Sequence, residues 1–188
     1  MVLVLASRSP RRREILERAG FACVVRPADV DESAAENEDP VEHVRRLARE
    51  KALAVECAEG ETVLGADTVV VAGGEILGKP RDTGDAARML GMLSGRDHLV
   101  LTGICLRTPT RHIVDIDATR VWFRPLSERD IADYISSGEP MDKAGAYAIQ
   151  GLASKFIPRI EGCYFNVVGL PAAKVAAHLE SLWDPGSR

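Results

Sequence analysis

Aromatic residues are scarce in this chain, at 5% of the total, and several common signatures are missing altogether. No CxxC pair occurs: Cys23, Cys57, Cys105 and Cys163 lie far apart. A zinc site or a disulfide framework needs clustered ligands or a secreted context, so the expectation is four reduced, mostly buried thiols. No apolar run reaches the roughly 20 residues of a membrane span. The opening MVLVLAS is too short for a signal peptide, which leaves a cytoplasmic protein without a membrane partner as the expectation. A basic surplus is lacking too. The formal net charge is −4 and the basic residues are scattered, so a nucleic-acid partner, which needs a broad basic face, is not expected. A small basic pocket for a phosphate ester fits an acidic chain well. Neither G-x-x-x-x-G-K-[ST] nor G-x-G-x-x-G is found, which disfavours kinases and P-loop ATPases. His43, His98, His112 and His178 show no metal-ligand spacing and read as structural or exposed. Repeats and low-complexity segments are absent.

What is present suits a single globular domain. With 188 residues, 46% of them hydrophobic and 28% charged, the chain is long enough for one domain with a real core, taken as residues 1–188. Residues 2–6 form an apolar run of buried-strand type. A helix follows, with Ser9 as N-cap, Pro10 at its first position and Gly20 as its stop. Residues 21–26 read as a second strand, and residues 28–38 as an acidic loop. Asp39 to Glu42 has the pattern of a capping box opening a long helix that ends near Gly60, with Val41, Val44, Ala48, Ala52 and Val55 as its stripe. Residues 62–72 and 75–77 should pair as a hairpin through Gly73-Gly74. A helix with Ala86, Met89, Leu90 and Leu93 at helical spacing closes at Gly95. Residues 98–107 and 112–123 read as a second hairpin. Ser127 and Asp130 cap a short helix, and Pro171 starts a last one carrying Val175, Leu179 and Leu182. The class is α/β with a mixed sheet.

Three local features do not fit a purely structural chain. Asp67 and Thr68 interrupt an apolar strand in VLGADTVVVAGG. A buried carboxylate needs a metal, a basic partner or a raised pKa; otherwise Asp67 is a strand-end acid that meets solvent. The junction ASRSPRRRE, with Ser7, Arg11 and Arg12, puts cations at a helix N-terminus, where the dipole already favours an anion. An exposed basic turn is the alternative, and phosphate binding is the better reading. Lys51 shares a helix face with Val44, Ala48 and Val55. It either snorkels to the rim or clamps an anion. Lys79, in LGKP, has the same ambiguity.

LASRSPRRREIL, AREKA, GADTVVV, ILGKP, LSGRDHLVLTG, SGEPMDKAGAYAIQG and IEGCYFNVVGLP resemble, in this order, the blocks of the Maf-like nucleotide pyrophosphatases. The similarity runs from about residue 3 to residue 172. It implies a fold akin to the inosine-triphosphate pyrophosphatases: an elongated, mixed, twisted sheet flanked by helices, in two lobes with a central cleft. A divalent cation, Mg2+ or Mn2+, is implied as well, and a homodimer is common in the family. By resemblance, Asp67 is the proton acceptor and a metal ligand, with Glu32, or its neighbour Asp31, as a second ligand. Ser7, Arg11, Arg12, Lys51 and Lys79 would bind phosphate. The block DKAGAYAIQG is similar to the branch acting on dTTP and UTP, with Arg11, Thr68 and Gln150 matching positions tied to base choice. Residues 151–154 lack a second glycine common in that branch. The implied reaction is attack of water on the α-phosphorus of a pyrimidine nucleoside triphosphate, releasing pyrophosphate. Two alternatives are a house-cleaning pyrophosphatase for modified nucleotides and a non-enzymatic, nucleotide-binding regulator of septum formation.

Overall fold

The computed structural model describes residues 1–183. It is a mixed α/β structure in which hydrogen bonding orders the strands β2 (Cys23–Val25), β1 (Val2–Leu5), β3 (Glu61–Ala72), β5 (Asp97–Arg107), β6 (His112–Trp122) and β7 (Arg159–Glu161), with β4 (Glu75–Leu77) on β3. The chain forms two compact units. One comprises Met1–Asp67, Thr102–Asp117 and the chain from Gly169 onward; the other comprises Thr68–Leu101 and Ala118–Val168. Among the described residues, no helix is long and apolar enough to cross a membrane.

In the first unit, β1 (Val2–Leu5) lies parallel to β2 (Cys23–Val25) and to the first part of β3 (Glu61–Ala72). Helix α1 (Pro10–Arg18) begins at Pro10 as expected, but Ser9 makes no side-chain cap. Its own N–H instead donates to Ser7 Oγ at 3.2 Å. Strand β2 is shorter than residues 21–26 because the Phe21 N–H is spent on the Leu16 carbonyl, closing the end of α1. Helix α2 (Pro40–Leu53) is capped by Asp39, which accepts from the Val41 and Glu42 N–H groups. Only half of the expected box forms, since the Glu42 carboxylate accepts from Arg45 at 3.3 Å.

Helix α2 also stops at Leu53, well before Gly60. The Arg107 guanidinium takes the carbonyls of Ala52, Leu53 and Val55 at 3.0, 3.3 and 2.9 Å, satisfying the helix end from outside. Two glycines let strands lie against the α2 backbone. A Cβ on Gly65 of β3 would sit 2.2 Å from the Ala48 carbonyl oxygen, and one on Gly103 would sit 2.1 Å from that of Val44. The small core beneath α2 holds Val4, Ala6, Ala48, Ala52, Val55, Val63 and Cys105. Helix α6 (Ala172–Trp183) buries Val175, Leu179 and Leu182. All four cysteines are free, and only Cys105 is buried. The expectation of mostly buried thiols fails because Cys23, Cys57 and Cys163 fall at the margins of the core, each half-buried.

In the second unit, the rest of β3 pairs antiparallel with β4 (Glu75–Leu77). Gly73 and Gly74 supply the positive φ angles of the tight turn, 58° and 83°. Helix α3 (Thr83–Leu93) buries Ala86, Met89, Leu90 and Leu93. Helix α4 (Glu128–Ser136) has a full capping box of Ser127 and Asp130. Strands β5 (Asp97–Arg107) and β6 (His112–Trp122) are neighbours whose residues from Thr102 to Asp117 belong to the first unit, and β7 (Arg159–Glu161) pairs antiparallel with β6. Between α4 and β7 the chain runs through three short 3₁₀ turns, at Glu139–Asp142, Ala144–Ala146 and Leu152–Phe156. The short helix α5 (Tyr164–Val168) follows β7. The few aromatics concentrate in this unit's core: Phe123 and Tyr147 meet edge to face at 4.9 Å, and Tyr134 and Phe156 at 5.5 Å.

Candidate active site

Strand β3 carries Asp67 immediately after Gly65 and Ala66, where the glycine brings the strand close to α2. In its last turn, α2 presents Lys51 to the same place. Lys51 Nζ donates to Asp67 Oδ1 at 2.7 Å, and both residues are 7% exposed. The ammonium also lies 2.5 Å from Glu32 Oε1, whose side chain is 54% exposed. One cation is therefore shared by two carboxylates, one buried and one open to solvent. Asp67 is not a strand-end acid in water, and Lys51 does not snorkel away from its stripe. Asp31 turns elsewhere, accepting from the Ser33 N–H at 2.9 Å.

Arg12, in the first turn of α1, braces the backbone beside Asp67. Its Nη1 donates to the Ala66 carbonyl at 2.9 Å and to Ser7 Oγ at 3.2 Å, while Nε donates to the Gly169 carbonyl at 2.9 Å. Burial lowers the guanidinium pKa, Asp67 and Glu32 act in the opposite sense, and Arg11 lowers it further. Ser7 is buried, and Arg11 is half-buried on α1. The first unit thus brings together Ser7, Arg12, Lys51, Asp67 and Glu32. The remaining candidates belong to the second unit. Thr68, its first residue, is half-buried. Lys79 is exposed in the segment after β4, and Gln150 is exposed in a turn closed by the Gly151 N–H on the Ala148 carbonyl.

A cluster that sequence reasoning missed stands one turn back along α2. Arg46 grips Glu38 through Nε and Nη2 at 2.7 and 2.8 Å, and Glu38 Oε2 lies 2.8 Å from His43 Nδ1. Only a run of alternating charges on α2 could have pointed to it, and such runs more often mark a solvated face.

Chemically, the first unit offers a buried acid, a buried ammonium and a guanidinium that fixes the acid's backbone. Asp67 and Glu32 both lie within hydrogen-bonding distance of one ammonium and are hard oxygen donors. Magnesium is commonly held by one or two carboxylates plus phosphate oxygens, so the pair has the right chemistry for such an ion. Among the described residues, no group of three or more His, Cys, Asp or Glu could hold a metal by itself.

Similarity to known proteins runs along nearly the whole chain. The family model described as Maf-like protein matches residues 2–182. A dTTP/UTP pyrophosphatase of Anaeromyxobacter dehalogenans (strain 2CP-C) is 55% identical over 187 residues, covering 97% of this chain and 95% of the relative. One from Koribacter versatilis (strain Ellin345) is 53% identical over 176 residues, covering 93% and 91%. One from Symbiobacterium thermophilum is 50% identical over 184 residues, covering 97% and 95%.

Proposed function

This chain belongs to the Maf-like protein family, and from that membership we propose that it hydrolyses dTTP and UTP to the nucleoside monophosphate and pyrophosphate. The observation that carries the proposal is the Lys51 ammonium shared between buried Asp67 and open Glu32. The name dTTP/UTP pyrophosphatase on relatives sharing half or more of their residues supports the substrate. A fold akin to the inosine-triphosphate pyrophosphatases goes with this reading.

A triphosphate is a stronger anion than the Glu32 carboxylate and competes with it for Lys51. In the structure Lys51 donates to Asp67 Oδ1, so that oxygen is already engaged. Transfer of the Lys51 bond to a phosphate oxygen frees Asp67 Oδ1 to take a proton from the attacking water. The water oxygen bonds to the α-phosphorus, the bond from that phosphorus to the bridging oxygen breaks, and pyrophosphate leaves. Arg11, Arg12, Lys51 and Lys79 are assigned to neutralising phosphate oxygens, with Ser7 as a hydrogen-bonding partner. Thr68, Gln150 and Arg11 are assigned to base choice; the Gln150 amide offers both a donor and an acceptor to a pyrimidine edge. Asp67 and Glu32 would hold a divalent Mg2+ or Mn2+ ion. When bound, it would polarise the phosphoryl group and make the water a better nucleophile.

The test is a panel of canonical and modified nucleoside triphosphates, assayed for pyrophosphate release with and without magnesium. Faster release from dTTP and UTP, in proportion to enzyme and dependent on the cation, is the expected result. Release of orthophosphate, or binding without turnover, would overturn the proposal. Preference for a modified nucleotide would replace its substrate with that of a house-cleaning enzyme.

A further inference from the structure

Glu32 lies in residues 26–39, which form neither helix nor strand, yet its carboxylate meets Lys51. A half-exposed ion pair holds a loop only weakly, so the backbone around Glu32 needs another anchor. Arg46 supplies one from the same helix that carries Lys51. Besides its two-pronged grip on Glu38, its Nη2 donates to the carbonyl of Ser33, the residue after Glu32, at 3.0 Å. Glu38 Oε2 in turn accepts from the Ala35 N–H at 3.1 Å, and the Glu38 N–H donates to the Ala35 carbonyl at 3.1 Å. The loop is thus fastened to α2 at Ser33, Ala35 and Glu38, and Glu32 is delivered to Lys51 just upstream of those points.

We infer that Arg46 is a positioning residue for the reactive centre, acting through Glu38 and the Ser33 carbonyl to hold Glu32 beside Lys51 and Asp67. The inference rests on the reading of Asp67 and Lys51 as that centre. A planar guanidinium suits the task because it can bind a carboxylate with two parallel bonds and still reach a carbonyl, which an ammonium cannot do with fixed direction. The carboxylate of Glu38 is nearly buried, at 11% exposure, with His43 Nδ1 on the same Oε2 that meets Arg46 Nη2. The Arg46 hydrogen bonds, with help from His43 and the Ala35 N–H, hold Glu38 well below the usual carboxylate range, so it stays ionised.

The experiment combines amide hydrogen exchange with a double-mutant cycle on the full chain. In Arg46→Gln, the Ala35 and Glu38 amides should exchange on the order of tenfold faster, while the amides of α2 keep their protection. Glu38→Gln, which keeps the shape and loses the charge, should loosen the same amides and gives a second variant if the first folds poorly. Pyrophosphate release from dTTP should fall on the order of tenfold in Arg46→Gln, mainly in kcat with less change in KM. Once Glu32→Gln is in place, adding Arg46→Gln should cost little more, because the positioned group is already gone. Fully additive losses, or unchanged exchange at Ala35 and Glu38, would overturn the inference. A wild-type chain that releases no pyrophosphate would instead overturn the proposed function, and the exchange measurement would then judge the Arg46 staple by itself.

Discussion

Lys51 Nζ and Asp67 Oδ1 stand 2.7 Å apart with side chains only 8% and 11% exposed, so each is the other's condition for being buried. Taking both charges out of water is costly, and their attraction does little more than offset that cost. Such a pair is weak evidence for stability and better evidence for function. Its placement depends on Gly65, which brings β3 against α2, and on Arg12, which fixes the carbonyl of Ala66.

Removing one partner of this pair should cost more than the pair itself contributes. Lys51→Ala leaves the Asp67 carboxylate buried without its ammonium, and a loss of about 3 kcal/mol is expected. Urea unfolding checks it: the midpoint should fall while the slope with denaturant is unchanged. A midpoint within experimental error of wild type would mean that water or Arg12 already satisfies Asp67.

Gly65 should tolerate no side chain. A methyl group there would lie 2.2 Å from the Ala48 carbonyl oxygen and 2.6 Å from the Ala52 nitrogen, both backbone atoms of α2. Gly65→Ala must push β3 and α2 apart, at a cost of about 3 kcal/mol, and it should also lower turnover by separating Lys51 from Asp67. Thermal unfolding and pyrophosphate release, measured together, check both halves.

Stability should depend on pH through His98. Its Nε2 lies 2.8 Å from the Tyr147 hydroxyl inside the second unit's core, and Nδ1 has no partner there. Burial is the main cause that lowers its pKa to about 4, with Asp97 acting weakly in the opposite sense. In the unfolded chain the group returns to its ordinary value of 6.5. Between those values the unfolded state binds the extra proton, so stability is full above about pH 6.5 and falls as the pH drops toward 4. The drop should be on the order of 3 kcal/mol, and His98→Gln should flatten it in urea titrations across that window.

Periodicity and turn chemistry made much of this fold legible. The Gly73-Gly74 hairpin, the α3 stripe, the Ser127–Asp130 box and the buried face of α6 all stand where the spacing of residues put them. The end of α2 was not legible, because the group that terminates it, Arg107, is 54 residues from Leu53 in the chain. The 3₁₀ turns and β7 escaped for a different reason. Segments of three to five residues carry no period, and this stretch is organised by side chains such as Tyr134, whose hydroxyl donates to Glu139 and accepts from the Ala148 N–H. Within the site, Asp67 stood out as a carboxylate in an apolar strand, and Lys51 as a cation on an apolar stripe. That the two anomalies answer each other could not be seen without the fold. Arg46 and Glu38 gave no such anomaly, being ordinary charges whose roles come only from the loop they hold.

The most direct measurement is the rate of pyrophosphate release from dTTP by Asp67→Asn, with saturating magnesium and with folding verified by circular dichroism. Asparagine keeps the size of the side chain and can still meet Lys51, but it takes no proton and binds a cation poorly. A fall of about a thousandfold in kcat is expected if Asp67 accepts the proton of the attacking water. Turnover close to that of the wild type would contradict the assignment of Asp67 as the chemical centre.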